Sequence, residues 1–252
     1  MADFIRSPLL ARHGVSGLFT LRGGGVSPVP FDSQNFGYGL GDQAAHIDKN
    51  LAMLVKEAAL YGRPHQAVQV HQAGTLLCSG VGVEHKQHAD ILLCSEPNTP
   101  LAVRSADCLP ILLADPQSGI IAAAHAGWRG TVAQVAGKAV SEMQRLGAKA
   151  ERIVASLGPC IGPCCFEIGT DAAERLAGCC EGADHFITGN QTPHGDLWAI
   201  NQLQLLQHGL KESHIELTKQ CTSCNAEQFF SYRRDAGRTG RHLAVVALTT
   251  YP

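Results

Sequence analysis

The chain has 252 residues, 45% hydrophobic and 17% charged, with a formal net charge of −2. That balance suits a globular protein of one large or two small domains. It gives no basic field to draw nucleic acid or an anionic membrane, no apolar run long enough to span a bilayer, and no signal peptide at the start, so a cytoplasmic setting is expected.

Residues 1–43 are rich in Gly, Pro, Ser and Asn and read as a hairpin followed by ordered loops. Asp42 is placed to cap a helix over 44–61, with Ile47, Leu51, Leu54, Val55 and Ala58 on one face and Gly62-Arg-Pro64 as its stop. A strand over 67–70 stops at His71, and further strands are expected at 101–104, 111–114 and 120–124. Apolar residues at helical spacing over 131–146, ending at Gly147, predict a helix. A buried strand at 153–157, helices at 170–178 and 197–209, and strands at 215–217 and 243–248 complete the pattern. There is no strict βαβ repeat. Several connections are short, so antiparallel pairing is expected in part. The expectation is one mixed α/β (α+β) domain over 1–252, its sheets covered by helices.

Ten cysteines in a chain of this length without an export signal read as reduced thiols. Twelve histidines raise the expectation of metal or acid–base chemistry. His71 ends the Val-Gln-Val run, Cys108 opens Leu-Pro-Ile-Leu-Leu, and His125 follows Ile-Ile-Ala-Ala-Ala. Two imidazoles and a thiolate make a competent zinc set with a fourth position left for water or substrate. Zinc there would bring the pKa of such a water toward neutrality. Their spacings of 37 and 17 residues match no short zinc motif. The same residues also read as a Cys108 nucleophile with His125 as base and Asp107 or Asp115 as the orienting acid. Only the metal site needs His71. The plain alternative is a buried cysteine acting as a small hydrophobe beside two satisfied histidines.

Three other segments carry chemistry. The loop 127–130 offers backbone N–H groups to an anion at the start of the helix expected near Thr131, and Arg129 adds a planar charge suited to phosphate or carboxylate. A tight turn packing Trp128 on the core is the alternative. Residues 158–169 frame Cys160, Cys164 and Cys165 between Gly-Pro turns. With Cys221-Thr-Ser-Cys224 they form a candidate structural zinc cluster, although buried free thiols are the favoured account. Glu167 is expected to line the cleft. Residues 229–241 interleave four arginines with aromatic rings. That pattern can bind RNA, but in a slightly acidic chain it fits a small anionic or aromatic ligand better, or a salt-bridged hairpin.

Gln69-Val-His71, Ala106-Asp-Cys-Leu-Pro110, His125-Ala-Gly-Trp-Arg-Gly130, Gly158-Pro-Cys-Ile-Gly162, Phe166-Glu-Ile-Gly169, Cys221-Thr222 and Phe230-Ser-Tyr-Arg-Arg-Asp235 with Thr239-Gly-Arg241 occur in this order. Together they resemble the YfiH-like family, also called the laccase-domain or polyphenol oxidase family. Asn35-x-Gly37 and Gly41-Asp42 fit its N-terminal part. The resemblance implies a single-domain four-layer α-β-β-α sandwich with two mixed β-sheets, and zinc held by His71, Cys108 and His125. It implies phosphorolysis of adenosine, inosine, guanosine and methylthioadenosine, with deamination of adenosine. The partners would be a purine nucleoside and phosphate, without nucleic acid or membrane, the chain acting as a monomer or weak homodimer.

Asp107, Cys108, Arg129 and Glu167 are the candidate catalytic residues. Asn35, Lys49, Gly127, Arg129, Arg233 and Arg234 are expected at substrate or phosphate. Leu51 stands where many relatives have an arginine, which would pass phosphate binding to Lys49, Arg129 or the 233–241 loop. An older family label is copper-dependent laccase. The chain has no His-x-His pair of the kind multicopper oxidases use, yet imidazole and thiolate also hold copper, so copper stays the second candidate metal. Similarity to the fold of certain cysteine hydrolases keeps open an amide hydrolase acting on cell-wall precursors. A non-enzyme reading, a partner-binding or redox-sensing protein using its thiols, predicts no nucleoside turnover.

Overall fold

The computed structural model describes residues 1–189 and 191–248. Of the domain expected over 1–252, positions 190 and 249–252 lie outside the described residues. Two sheets stack face to face. The smaller orders Phe4–Arg6, Val15–Thr20, His242–Leu248 and Leu101–Ser105, antiparallel throughout. The larger orders Ile215–Leu217, Val154–Leu157, Leu109–Asp115, Ile120–Ala126, Ile91–Cys94 and Thr75–Leu77. Its inner strands are antiparallel and both edge strands run parallel to their neighbours, so this sheet is the mixed one.

The sequence explains the stacking. In Leu109–Asp115 every residue is buried. Ile111 and Leu113 face the helices, while Leu112 and Ala114 face the smaller sheet. A strand covered on both faces loses the polar–apolar alternation of a surface strand. Phe19, Val103 and Val246 of the smaller sheet meet Leu92, Leu112 and Ile121 of the larger. Helices Val135–Arg145 and Leu197–Gln207 pack Val140, Met143 and Leu205 onto the outer face of the larger sheet. Helix Ala44–Glu57 packs Leu51 and Leu54 onto Leu18, Leu243 and Val245 of the smaller. The layers therefore run helix, sheet, sheet, helix, as expected, but of the two sheets expected to be mixed only the larger is, because each neighbouring pair in the smaller runs antiparallel. Leu112 is wholly enclosed between the sheets. Leu112→Ala is expected to destabilise the fold by about 2–5 kcal/mol, read as a lower denaturant midpoint at unchanged m-value.

Four local expectations change. The N-terminal hairpin forms, but helix Pro8–Arg12 sits inside its connection, with Leu10 N–H donating to Ser7 Oγ at 3.1 Å. The first long helix ends at Glu57, and Gln43 rather than Asp42 occupies the cap position. The Asp42 carboxylate instead accepts from Asn35 Nδ2 and the Gln43 N–H and faces His46 Nδ1. The helix expected over 131–146 is two helices, Trp128–Val132 and Val135–Arg145, separated by Gln134 in the left-handed region at φ 56. Side chains hold that break open: Gln134 Nε2 donates to Cys179 O and Gln204 Nε2 to Thr131 O, each at 2.8 Å. Strands also form at Thr75–Leu77, Glu84–His88 and Ile91–Cys94, where none is expected, although Ile91-Leu-Leu-Cys94 is an unbroken apolar run. No helix among the described residues is long and apolar enough to cross a membrane.

Candidate active site

Strand register assembles the site. Leu109–Asp115 and Ile120–Ala126 pair so that Leu109 faces Ala126 and Pro110 faces His125. The next residues outward, Cys108 and Gly127, therefore share one end of the sheet. On the other side of Ile120–Ala126, Ile91 pairs with Ala124, which sets Asp90 beside His125. Asp90 Oδ1 lies 2.9 Å from His125 Nδ1, and the His125 N–H donates to Asp90 O at 2.8 Å. The Asp90 carboxylate also accepts the N–H groups of Val70, His71 and Gln72 at 3.2, 3.0 and 2.9 Å. These bonds hold His71 at φ 60, a conformation that non-glycine residues seldom adopt. Asp90 orders two of the three candidate ligands, and it is absent from the residues expected from sequence.

The donor atoms of His71, Cys108 and His125 lie within 4.8 Å of one another. The two imidazole rings meet edge to face, centroids 4.9 Å apart. Because Asp90 takes the Nδ1 side of His125, Nε2 is left to face the thiol. Gly127 permits this closeness, since a Cβ there would fall 3.0 Å from both Cys108 Sγ and His71 Cδ2. Burial pushes the Cys108 thiol up, but His125 and His71 more than reverse this and bring it down to about 6. Burial pulls His125 down, while Cys108 and Asp90 push it up to about 9. Each group thus favours the charged form of the other.

The cluster opens into a cavity of about 700 Å³. Its wall carries Arg104, Arg129, Arg233 and Arg241, with the rings of Tyr38, Phe166 and Tyr232. Arg104 pairs with Glu84 at 2.7 Å. The other three guanidinium groups lie over ring faces: Arg129 over Trp128 at 4.3 Å, Arg233 over Phe166 at 5.7 Å and Arg241 over Tyr232 at 5.6 Å. No ion pair among the described residues includes these three. They present positive charge to the cavity, steadied by cation–π contact.

The remaining expected residues separate. Asp107 lines the cavity at φ 87, but its carboxylate is engaged by Thr222 Oγ1 at 2.6 Å, Ser231 Oγ at 3.0 Å and Arg233 N–H at 2.7 Å. It anchors the arginine segment. Neither Asp107 nor Asp115 orients His125. Asp115 is buried against Arg152 at 2.6 Å, and Asp90 holds the orienting position. Asn35 is fully buried away from the cavity wall, and its Oδ1 accepts from Gly37 and Arg241 N–H groups at 2.8 and 2.9 Å. It supports Arg241 from behind. Arg234 turns inward to Asp235 and to the Thr222 and Phe229 carbonyls. Lys49 and Glu167 are exposed outside the cavity wall. The helix that Gly127 opens has five residues, Trp128–Val132, too short for a strong dipole at an anion site. Sequence reasoning also passed over Arg104, although the apolar Leu-Ala-Val before it marked the end of a core strand.

Two imidazoles and a thiolate at the floor of a cationic, ring-lined cavity can hold a borderline or soft metal ion with one position open. Cys108, His125 and Asp90 also have the order of a nucleophile, a base and its orienting acid. The family model described as multi-copper polyphenol oxidoreductase laccase matches residues 16–249. A protein of Deinococcus radiodurans named purine nucleoside phosphorylase is 36% identical, over 97% of this chain and 92% of that protein. Purine nucleoside phosphorylase YfiH of Escherichia coli is 36% identical, over 93% of this chain and 94% of that one. The crystal structure of YlmD from Geobacillus stearothermophilus matches with a TM-score of 0.90 at 32% identity, covering 98% of this chain and 97% of that one.

Proposed function

The chain belongs to the multi-copper polyphenol oxidoreductase laccase family, and from that membership we propose that it is a zinc-dependent purine nucleoside phosphorylase that also deaminates adenosine. One juxtaposition carries the reading: His71, Cys108 and His125 converge at the floor of a cavity whose wall offers aromatic rings and three guanidinium groups that no carboxylate among the described residues neutralises. The relatives named purine nucleoside phosphorylases supply the substrate class. The donor set suits zinc, with three protein ligands, one open position and His125 oriented by a carboxylate. Bound there, the ion supplies Lewis acidity to an oxygen in the cavity. Imidazole and thiolate also accept copper, so copper loading followed by a phenol assay tests the oxidase alternative. We place the activity in one domain, acting as a monomer or weak homodimer.

The chain's own residues bind and orient. Arg129, Arg233 and Arg241 present planar forks, each able to take two phosphate oxygens. Tyr38, Phe166 and Tyr232 offer faces for purine and ribose. A phosphate oxygen attacks C1′ while the C1′–N9 bond breaks and its electron pair leaves with the purine, giving ribose 1-phosphate. In deamination a water oxygen adds to C6 and the amine leaves as ammonia. Asp107, by fixing the Arg233 N–H, sets the reach of that guanidinium.

Adenosine incubated with and without phosphate tests this. Adenine and ribose 1-phosphate are expected only with phosphate, and inosine under both conditions. Absence of all three products overturns the reading. Arg233→Ala is expected to raise the KM for phosphate about tenfold or more, since a charge-assisted hydrogen bond contributes about 1.5–3 kcal/mol, while leaving deamination nearly unchanged. An unchanged phosphate KM removes Arg233 from that role. The Cys108–His125–Asp90 chain favours a second reading, a cysteine amide hydrolase. His71→Ala separates the two, because it stops nucleoside turnover in the first and leaves amide hydrolysis intact in the second.

A further inference from the structure

Four cysteines outside that cavity gather in one place. Cys164 and Cys165 lie in the loop after Gly162, and Cys221 and Cys224 in the turn before Asn225. Their four sulfurs all lie within 4.8 Å of one another. Cys224 Sγ is 3.5 Å from Cys164 Sγ and 3.3 Å from Cys165 Sγ. Tetrahedral Zn–S bonds of about 2.3 Å set sulfurs roughly 3.8 Å apart, whereas a disulfide joins them at about 2.05 Å. The spacing is close to that of ligands around one ion. Gly162 N–H donates to Cys221 Sγ at 3.2 Å, a contact that favours the thiolate. The membership differs from the set named from sequence. Cys160 is fully buried and turned toward Ile161 O at 3.4 Å. Cys221 is buried as well, but buried free thiols do not describe Cys164 and Cys224, which are exposed, or Cys165, which is partly so.

We propose that Cys164, Cys165, Cys221 and Cys224 form a second metal site, a closed four-thiolate site for zinc with a structural role. Four protein ligands leave no open position for substrate, and soft thiolates select zinc over hard cations. The ion would join two segments 60 residues apart in sequence. The first leads into a wall residue and the second braces one. Phe166 follows Cys165, whose carbonyl accepts Arg233 Nη1 at 3.4 Å. Thr222 follows Cys221 and donates to Asp107. The site therefore clamps together the supports of Phe166, Arg233 and Asp107. Loading releases the remaining thiol protons, so affinity falls at low pH. This inference does not depend on the reaction proposed above.

Metal analysis of the purified full chain, grown with added zinc, tests it. Cys164→Ser/Cys224→Ser is expected to lose one zinc equivalent relative to the unaltered chain and to melt several degrees lower. His71→Ala is expected to keep that equivalent, whatever becomes of the other cluster. Cobalt(II) exchanged into His71→Ala should show intense thiolate-to-cobalt charge-transfer absorption, lost when Cys164 and Cys224 are also replaced. Should the cysteine variant fail to fold, peptide mass spectrometry of the unaltered chain decides. Cys164 and Cys224 should resist iodoacetamide until a strong chelator is added. Immediate alkylation of both, a disulfide at Cys224 in freshly reduced protein, or full zinc content in the cysteine variant overturns the site.

Discussion

Cys108→Ala is expected to lower kcat/KM for both nucleoside reactions by about a thousandfold or more and to remove the zinc equivalent that belongs to His71 and His125. The thiolate is the one anionic donor of the set, and its loss leaves two imidazoles that must compete with protons for the ion. Lewis acidity at the reacting oxygen would lower the barrier by several kcal/mol, and each ~1.4 kcal/mol is tenfold in rate. Stability should change little, because Cys108 is partly exposed to the cavity and the replacement leaves no enclosed void. His125 would also lose the neighbour that pushes it up to about 9 and would rest on Asp90 alone. Zinc analysis beside initial-rate kinetics checks both halves. A variant that keeps this zinc equivalent, or more than about a tenth of wild-type kcat/KM, would falsify the assignment of Cys108 as a ligand. A variant that loses rate while keeping metal would instead favour the nucleophile reading.

The second large effect is expected at Asp90. Asp90→Ala removes the acceptor for three backbone N–H groups and frees the His125 ring. These donors are part-buried, so each should cost about 1 kcal/mol, the low end of the range for an unsatisfied group, and a total of about 3 kcal/mol of stability should go, a large fraction of what holds a marginal domain folded. Asp90→Asn keeps an acceptor oxygen and tests the second role separately. Loss of the carboxylate behind a histidine ligand typically weakens metal affinity or activity about 10–100-fold, and that loss should appear in a folded protein.

Burial would raise the Asp90 carboxyl, but His125 and the N–H donors outweigh it and hold it below its ordinary value. The folded chain therefore keeps this charge where the unfolded chain takes up a proton. The contribution is intact above about pH 4 and lost as pH falls through the folded value. The wild-type melting temperature should drop more steeply than that of Asp90→Asn between about pH 4 and 2. Parallel curves would mean that the carboxylate contributes no stability as a charge.

Much of the fold is visible in one dimension because burial leaves a local mark. Leu109–Asp115 and Ile120–Ala126 read as strands from their unbroken apolar runs, and Leu197–Gln207 reads as a helix from its spacing. Glu84–His88 is polar at every position and forms a strand only because Gln66–Val68 pairs with it. Gln134 carries no turn signal, and its left-handed backbone is held by its own bond to Cys179 O, 45 positions away, and by Gln204, which donates to Thr131 O from 73 positions away. No window along the chain contains those contacts.

The same division runs through the site. By itself the sequence determined the family and the three side chains of the central cluster, because His71, Cys108 and His125 stand beside apolar strands in characteristic strings. Tertiary structure decided what surrounds them. The pairing of Ile91 with Ala124 puts Asp90 on His125, 35 positions away. It also decided which arginines face the cavity: Arg233 and Arg241 do, while Arg234 turns to the Phe229 carbonyl and Lys49 lies outside the wall. Adjacent residues such as Arg233 and Arg234 share composition and local charge. Only strand register and the buried Asp107 that ties down the Arg233 N–H settle which of the two faces the cavity.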